Sequence, residues 1–272
     1  MPSFPDELTI LSWNINHRTS SLAQLSNFGS DIALLQEAPK LLRPEESTRI
    51  VAPPTDNWRI RHYGSHATAI AVMNPAVNFS SYEPVDFGLG GPMKIESSHL
   101  GQFSVIWIPW GRKGLFLVSL YGIIEHDFAD SSLHRALSDL TPIFEQGPDV
   151  LVGADLNAFR GYSISGKEQA VRRHQFLFDR FEMLGLACIG PFSSTGPLEN
   201  CPCHLREACD HVQTYRHMNQ DSSRSFQNDY VFATKRLRRQ LVSCKALATE
   251  NRSLWEFSDH SPIEIKLRNV EI

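Results

Sequence analysis

Ser258-Asp259-His260-Ser261-Pro262 sets an acid and an imidazole side by side just before Ile263, Ile265 and Leu267, which are apolar on alternate positions. An Asp-His pair at the mouth of a buried strand adds little to packing and suits chemistry on phosphate. Other polar clusters also stand at the ends of apolar runs. Asn14 and Asn16 close residues 8–15, Glu37 closes 31–36, Asp155 and Asn157 follow Val150-Leu151-Val152, and Asn228-Asp229 precede Tyr230-Val231-Phe232-Ala233. A carboxylate that finishes an apolar run must be solvated, paired or bound to a cation, because bare burial is costly. Asp155 and Asn157 are two apart and share a face in extended backbone. Together the carboxylates of Glu37, Asp155, Asp229 and Asp259, the amides of Asn14 and Asn157, and the imidazole of His260 make an oxygen-rich donor set. Such a set suits Mg2+ or Mn2+, an ion that takes one or two carboxylates plus a substrate phosphate.

Positioning these groups requires strands that end together. Residues 8–15 and 31–36 read as buried strands, with a helix over 20–28, capped by Ser20 or Ser21, between them. That opening predicts a parallel strand pair in an α/β fold. Further strands are expected at 67–73, 104–108, 115–120, 149–153, 211–215, 230–233 and 262–267, with a hairpin turn at Trp110-Gly111-Arg112-Lys113-Gly114. Helices are expected over 131–144, with Leu133, Leu137, Leu140 and Phe144 on one face, and over 168–184, ended by Gly185. Residues 192–210, rich in Pro, Cys and Ser, read as irregular. Candidate residues are spread from Asn14 to His260, so any cut would split the site; residues 1–272 are expected to form a single catalytic domain.

A chain of 272 residues can bury a substantial core, and 42% hydrophobic with 21% charged residues is an ordinary globular balance. No run approaches the roughly 18 apolar residues of a membrane span. Met1-Pro2-Ser3-Phe4-Pro5-Asp6-Glu7 lacks the basic start and apolar core of a signal peptide, so a cytoplasmic protein with no membrane partner is expected. The net charge of -4 neither marks nor excludes a nucleic-acid binder, because an acidic metal pocket can carry a basic rim. Arg112-Lys113, Arg172-Arg173-His174 and Lys235-Arg236 with Arg238-Arg239 are the candidates for such a rim, set against solvated charged faces. Oligomeric state is not legible.

The five cysteines are odd in number and three fall between Cys201 and Cys209, which argues for reduced thiols. Cys201, Cys203, Cys209 and His211 could supply a tetrahedral structural Zn2+ site. The Cys-x-Cys spacing is tighter than usual for zinc, and a loop of unpaired thiols is the plainer alternative.

Trp13-Asn14-Ile15-Asn16, Leu35-Gln36-Glu37, Leu120-Tyr121-Gly122, Gly153-Ala154-Asp155-Leu156-Asn157, Asn228-Asp229-Tyr230 and Ser258-Asp259-His260-Ser261-Pro262 follow one another along the chain. In order and rough separation this set resembles the endonuclease/exonuclease/phosphatase superfamily, over essentially the whole chain. The superfamily includes exonuclease III-like, deoxyribonuclease-I-like, inositol-phosphate phosphatase and sphingomyelinase enzymes. The resemblance implies a four-layer α/β sandwich: two mixed β-sheets packed face to face, helices outside, and the active site at one end. It also implies that Glu37 binds the divalent cation with Asn14 and Asp259 beside it. Asp155, helped by Asn157, would position or deprotonate the attacking water, and His260, paired with Asp229, would hold the scissile phosphate. Tyr121 would face the phosphate or the leaving group. Whether Asp155 or His260 is the general base stays open.

Within the superfamily, Tyr121 stands where many non-nuclease members place His, which favours the exonuclease III-like side. Gly122-Ile123-Ile124-Glu125 replaces the Pro-Asn pair usual in those nucleases, and His17-Arg18 replaces a Gly. Gln227-Asn228-Asp229-Tyr230 stands where the inositol phosphatases carry Trp-Cys-Asp-Arg, and no apolar hairpin or basic amphipathic helix suits a sphingomyelinase's membrane surface. The expectation is a Mg2+- or Mn2+-dependent phosphodiesterase, foremost a nuclease on DNA or RNA. The rivals are a phosphatase or phosphodiesterase of a small phosphorylated molecule, and an inactive binding scaffold.

Overall fold

The computed structural model describes residues 6–39, 48–53, 66–163, 165–198, 201–203, 205–216 and 226–269. In chain order the strands are β1 (Glu7–Asn14), β2 (Ile32–Pro39), β3 (Arg49–Val51), β4 (His66–Val72), β5 (Ser80–Val85), β6 (Lys94–Glu96) and β7 (Phe103–Ile108). They continue as β8 (Leu115–Tyr121), β9 (Asp149–Asp155), β10 (Leu186–Gly190), β11 (Asp229–Thr234), β12 (Leu241–Ala246) and β13 (Ile263–Arg268). One sheet has six strands in the order β12-β13-β1-β2-β4-β3, the other seven in the order β10-β11-β9-β8-β7-β5-β6. Both are mixed: β1 and β2 run parallel, as do β8 and β9, while their other neighbours run antiparallel.

Side-chain alternation builds the layers. Leu8 and Ile10 of β1, Ile32 and Leu34 of β2, Leu115 and Leu117 of β8, Leu151 of β9 and Val231 of β11 all meet in one core between the sheets. The other face of the seven-stranded sheet carries Val118, Val152 and Phe232 against the helices α2 (Asp130–Asp139), α3 (Thr141–Phe144) and α4 (Glu168–Met183), numbered after the short α1 (Thr19–Leu22). The other face of the six-stranded sheet carries Leu11, Trp13 and Leu35 under Leu22, Leu25, Phe28 and Phe257. The result is the expected four-layer sandwich.

The sheets approach most closely beneath the polar strand ends. A methyl group on Gly153 of β9 would lie 2.5 Å from Ser12 Oγ and 2.9 Å from Leu34 Cδ1 of the opposite sheet. Gly153→Ala is therefore expected to force the sheets apart and destabilise the protein by about 1–3 kcal/mol, read as a lower midpoint of urea unfolding. An unchanged midpoint would show that the packing tolerates the extra carbon.

Several local expectations are corrected. Residues 20–28 form α1 followed by a separate 3-10 turn, Leu25–Phe28, and neither serine caps: Arg18 stands at the start of α1, and the buried Ser21 hydroxyl donates instead to Phe257 O at 2.6 Å. The 131–144 helix breaks at Leu140, where Pro142, lacking an N–H, opens α3. Residues 211–215 are not a strand. Thr214 and Tyr215 both donate to Phe226 O, and Val212 donates to the Gln227 side chain, so the segment bonds irregularly. The sequence reading misses β3, β5, β6, β10 and β12, which lie at or beside sheet edges; all but the short β10 also lack continuous apolar runs. No described helix is long and apolar enough to cross a membrane.

Candidate active site

Register brings the polar residues together. On β8, β9 and β11 the residues Tyr121, Asp155 and Asp229 are direct partners, so they form one row across the seven-stranded sheet. Each keeps the alternation of the inward residues on its own strand, and each therefore faces the other sheet. There, Asn14 pairs with Gln36 at the same end of β1 and β2. Asn14 Nδ2 donates across the gap to Asp155 Oδ2 at 2.8 Å, and Gln36 Nε2 donates to Ser119 Oγ at 3.0 Å. These bonds tie two sheets whose bonded residues lie 141 and 83 positions apart in the chain.

Glu37 reaches the same place by a different device. Strict alternation would turn it outward with Leu35, but the pairing of β2 with β4 shifts register between Leu35 and Ala38, and Glu37 takes a left-handed φ of 48°. A bulge of this kind re-aims a side chain. Of the seven described non-glycine residues with positive φ, Asn16, His17, Glu37, Asp127 and Asn157 all line one cleft of ≈ 810 Å³. Backbone strain concentrated in this way is characteristic of functional sites.

The Asp259-His260 segment is pinned to the end of β1. Trp13 Nε1 donates to His260 O at 2.9 Å, Ser258 Oγ donates to Asn14 O at 2.7 Å, and Asn16 Nδ2 donates to Asp259 Oδ1 at 2.8 Å. The His260 ring then lies with Nδ1 2.9 and 3.1 Å from the two Asp229 oxygens, while Nε2 is 3.8 Å from Asp155 Oδ2. Tyr215 packs beside the ring at 4.8 Å between centroids. Asp229 is itself held by Thr214 Oγ1, which accepts from its backbone N–H.

The structure thus gathers Asn14, Glu37, Tyr121, Asp155, Asn157, Asp229, Asp259 and His260 at one end of the sandwich. Asn157 does so for a reason other than the one anticipated. The strand ends at Asp155, and Asn157 turns left-handed; its N–H donates to Asp155 Oδ1 at 3.0 Å and its side chain to Gly122 O at 3.0 Å. It buttresses Asp155 rather than extending the strand face.

The sequence reading misses His17 and His66. His17 Nε2 is 3.0 Å from Glu37 Oε2, and ligand atoms of His17, Glu37 and His66 lie within 4.8 Å of one another. His66 is buried, and neither ring nitrogen has a hydrogen-bond partner among the described residues. Its signal was weak: it stands ahead of the apolar run, and only folding brings it over Glu37. In the sequence His17 stands out only as a departure from a glycine.

Electrostatics divide the groups. Burial alone would raise Glu37, but the His17 hydrogen bond and the His260 and His66 rings outweigh it and hold the carboxyl at about 2. Burial lowers His66 to about 4, leaving a neutral imidazole. For His260 burial is opposed and overcome by the Asp229 and Asp155 carboxylates, which hold its proton to about 10. Burial raises Asp155, with the His260 ring opposing. Tyr121 keeps its proton, through burial first and then the neighbouring Glu37 and Asp155 carboxylates. An anionic carboxylate beside a neutral imidazole is a competent cation-binding set.

Among the described residues the candidate basic clusters form solvated or paired faces, the plainer of their two readings, and not a track into the cleft. Arg173 makes a two-pronged pair with Asp130 and covers Phe128, Arg172 pairs with Glu168, and Arg236 pairs with Asp149 at the far end of β9. Arg112 and Lys113 sit in the turn at the far end of β8. Among the described residues lining the cleft, Lys167 is the only lysine or arginine, and Phe128, Phe159 and Tyr215 supply aromatic wall.

No protein-family model and no curated protein matches the sequence. Solved structures do match in three dimensions. The endonuclease domain of TRAS1, a telomere-specific non-LTR retrotransposon, superposes with a TM-score of 0.64 at 18% identity, over 96% of this chain and 98% of that one. The AP endonuclease LMAP from Leishmania major gives 0.64 at 14% identity, over 97% and 89%. The Xenopus laevis APE2 catalytic domain gives 0.66 at 12% identity, over 96% and 92%. At these identities the likeness establishes the fold, which is that of the superfamily the sequence motifs resemble.

Proposed function

We propose that this chain, built on the endonuclease/exonuclease/phosphatase fold, is a divalent-metal-dependent phosphodiester hydrolase acting on nucleic acid, with residues 1–272 as one catalytic domain. The observation that carries the reading is the Asp229–His260–Asp155 row sharing one end of the sandwich with an anionic Glu37. Hydrolysis of a phosphodiester needs charge neutralised on the phosphoryl oxygens, an oriented water and a stabilised leaving oxygen.

His260 is fixed through Nδ1 by Asp229, which leaves Nε2–H for a phosphoryl oxygen. Because it keeps its proton well past neutrality, it acts as a cationic donor and not as the base. Asp155 is then the group that orients and deprotonates the attacking water, with Asn14 and Asn157 holding its two oxygens in place. Tyr121, kept protonated, can donate toward the departing oxygen.

Glu37, flanked by His17 and His66 and with Asn14 and Asp259 at the same end, would hold the cation. A cation bound there supplies neutralisation of phosphoryl charge. Two imidazoles beside one carboxylate move the preference from Mg2+ toward Mn2+. The aromatic wall of Phe128, Phe159 and Tyr215 offers stacking surfaces of the kind used for nucleobases. That the TRAS1 domain and LMAP are endonucleases lends support.

The test is a panel of DNA, RNA and abasic oligonucleotides against nucleotide and sugar phosphates, with Mg2+, Mn2+ or EDTA. Cleavage of oligonucleotides, stronger in Mn2+ and absent in EDTA, is expected. His66→Ala should weaken Mn2+ binding, measured by calorimetry, by at least roughly tenfold. Turnover of small phosphates alone would transfer the reading to the rival substrate class, and full activity in EDTA would end it.

A further inference from the structure

We propose that Cys201, Cys203, Cys209 and His211 form a structural zinc site that fixes the irregular segment beside the cleft. It is separate from the Glu37 centre and shares no ligand with it. The four ligand atoms all lie within 4.8 Å of one another. His211 Nδ1 is 3.5 Å from Cys201 Sγ and 3.4 Å from Cys209 Sγ. Zn–S bonds of about 2.3 Å and a Zn–N bond of about 2.0–2.1 Å, set tetrahedrally, place nitrogen and sulfur about 3.5–3.6 Å apart. The observed separations are within about 0.2 Å of that figure.

Hydrogen bonding among thiols explains the arrangement less well. A neutral imidazole nitrogen accepts one hydrogen, yet Nδ1 stands almost equally far from two sulfurs. A centre shared by all four atoms accounts for that. The cluster is also sheltered, with Cys209 at 5% and His211 at 0% exposure, and the three cysteines form no disulfide. Thiolate and imidazole ligands select zinc over the hard cations suited to carboxylates. Binding would release the three thiol protons to solvent, leaving three thiolates and a neutral imidazole on the dication.

The cluster leads by short steps to the catalytic row. The Tyr162 ring packs edge-on against His211 at 5.4 Å, and its hydroxyl accepts from Gln227 N at 3.0 Å. Val212 N donates to the Gln227 side chain at 3.1 Å, and Thr214 Oγ1 accepts from Asn228 N and Asp229 N at 3.0 and 3.1 Å. Anchoring His211 therefore sets the stretch that holds Asp229, which holds His260. The zinc group has a positioning role.

Elemental analysis of the full chain, purified without chelator, is expected to find one zinc per molecule. Cys203→Ser and Cys209→Ser should lose it, while the His17→Ala/His66→Ala double variant should keep it. Should a cysteine variant fail to fold, cobalt titration of the unaltered protein decides: intense visible bands of tetrahedral cobalt, with sulfur-to-cobalt charge transfer, are expected. Protein that takes up neither zinc nor cobalt would overturn the proposal, as would zinc lost only with His17 and His66, or a disulfide among the three thiols by mass analysis. None of these readouts depends on what the cleft hydrolyses.

Discussion

His260→Ala is expected to lower turnover on a phosphodiester by roughly 10²–10³-fold, the usual cost of removing a donor aimed at developing negative charge. The ring is the part lost; the backbone around it stays tied through Trp13 Nε1 and Ser258 Oγ. Removal also strips a buried Asp229 of its partner, so His260→Gln, which keeps a donor toward that carboxylate, guards against confusing collapse with lost chemistry. Near wild-type rates from a folded His260→Gln protein would refute the assigned role.

Asp229→Asn probes the same pair through pH. The folded protein holds the His260 proton to about 10, against an ordinary value of 6.5. A histidine raised in this way contributes stability that is fully present below its ordinary value and fades as pH rises through about 10. The alkaline limb of the rate profile should accordingly lie near 10 in the wild type and move down toward 6.5 when the Asp229 charge is removed. An alkaline limb that ignores the substitution would detach His260 from Asp229.

Asp155→Asn should cost roughly 10²–10⁴-fold in kcat with KM little changed, because a general base acts in the transition state and not in binding. The exchange is isosteric. Asp155 is fully buried, accepting from Asn14 Nδ2 and from the Asn157 N–H, so the amide can keep one of these bonds and the fold should hold by circular dichroism. Burial raises the carboxyl, so its deprotonation should shape the acidic limb of the rate profile. Retention of that limb with wild-type kcat in Asp155→Asn would place the base elsewhere.

Much of this arrangement was readable in one dimension because burial and side-chain period are local. Val150-Leu151-Val152 before Asp155, and Ile263 and Ile265 after His260, announce strands with polar ends; the core confirms each as a packed, alternating element. The same logic fails for β3, β6 and β12, whose half-exposed edges leave no continuous apolar run. It fails at Glu37 as well, where alternation would predict an outward side chain and a left-handed bulge turns it into the cleft. Arg172, Arg173 and Arg236 show the converse: positive charge close together in sequence reads equally as a phosphate track or a solvated face, and in the fold each arginine pairs with a carboxylate outside the catalytic cluster.

By itself the sequence determined that strand ends bearing acids, amides and an imidazole exist, and in what order, because hydrophobic patterning is written residue by residue. The tertiary structure alone decided that His17 and His66 flank Glu37, that Asn157 props Asp155, and that Thr214 steadies Asp229. Those neighbours come from strand register and sheet stacking, which join Asn14 to Asp155 across 141 positions and Trp13 to His260 across 247. Contacts at such separations are fixed by the packing of whole sheets, and no short window of residues encodes them.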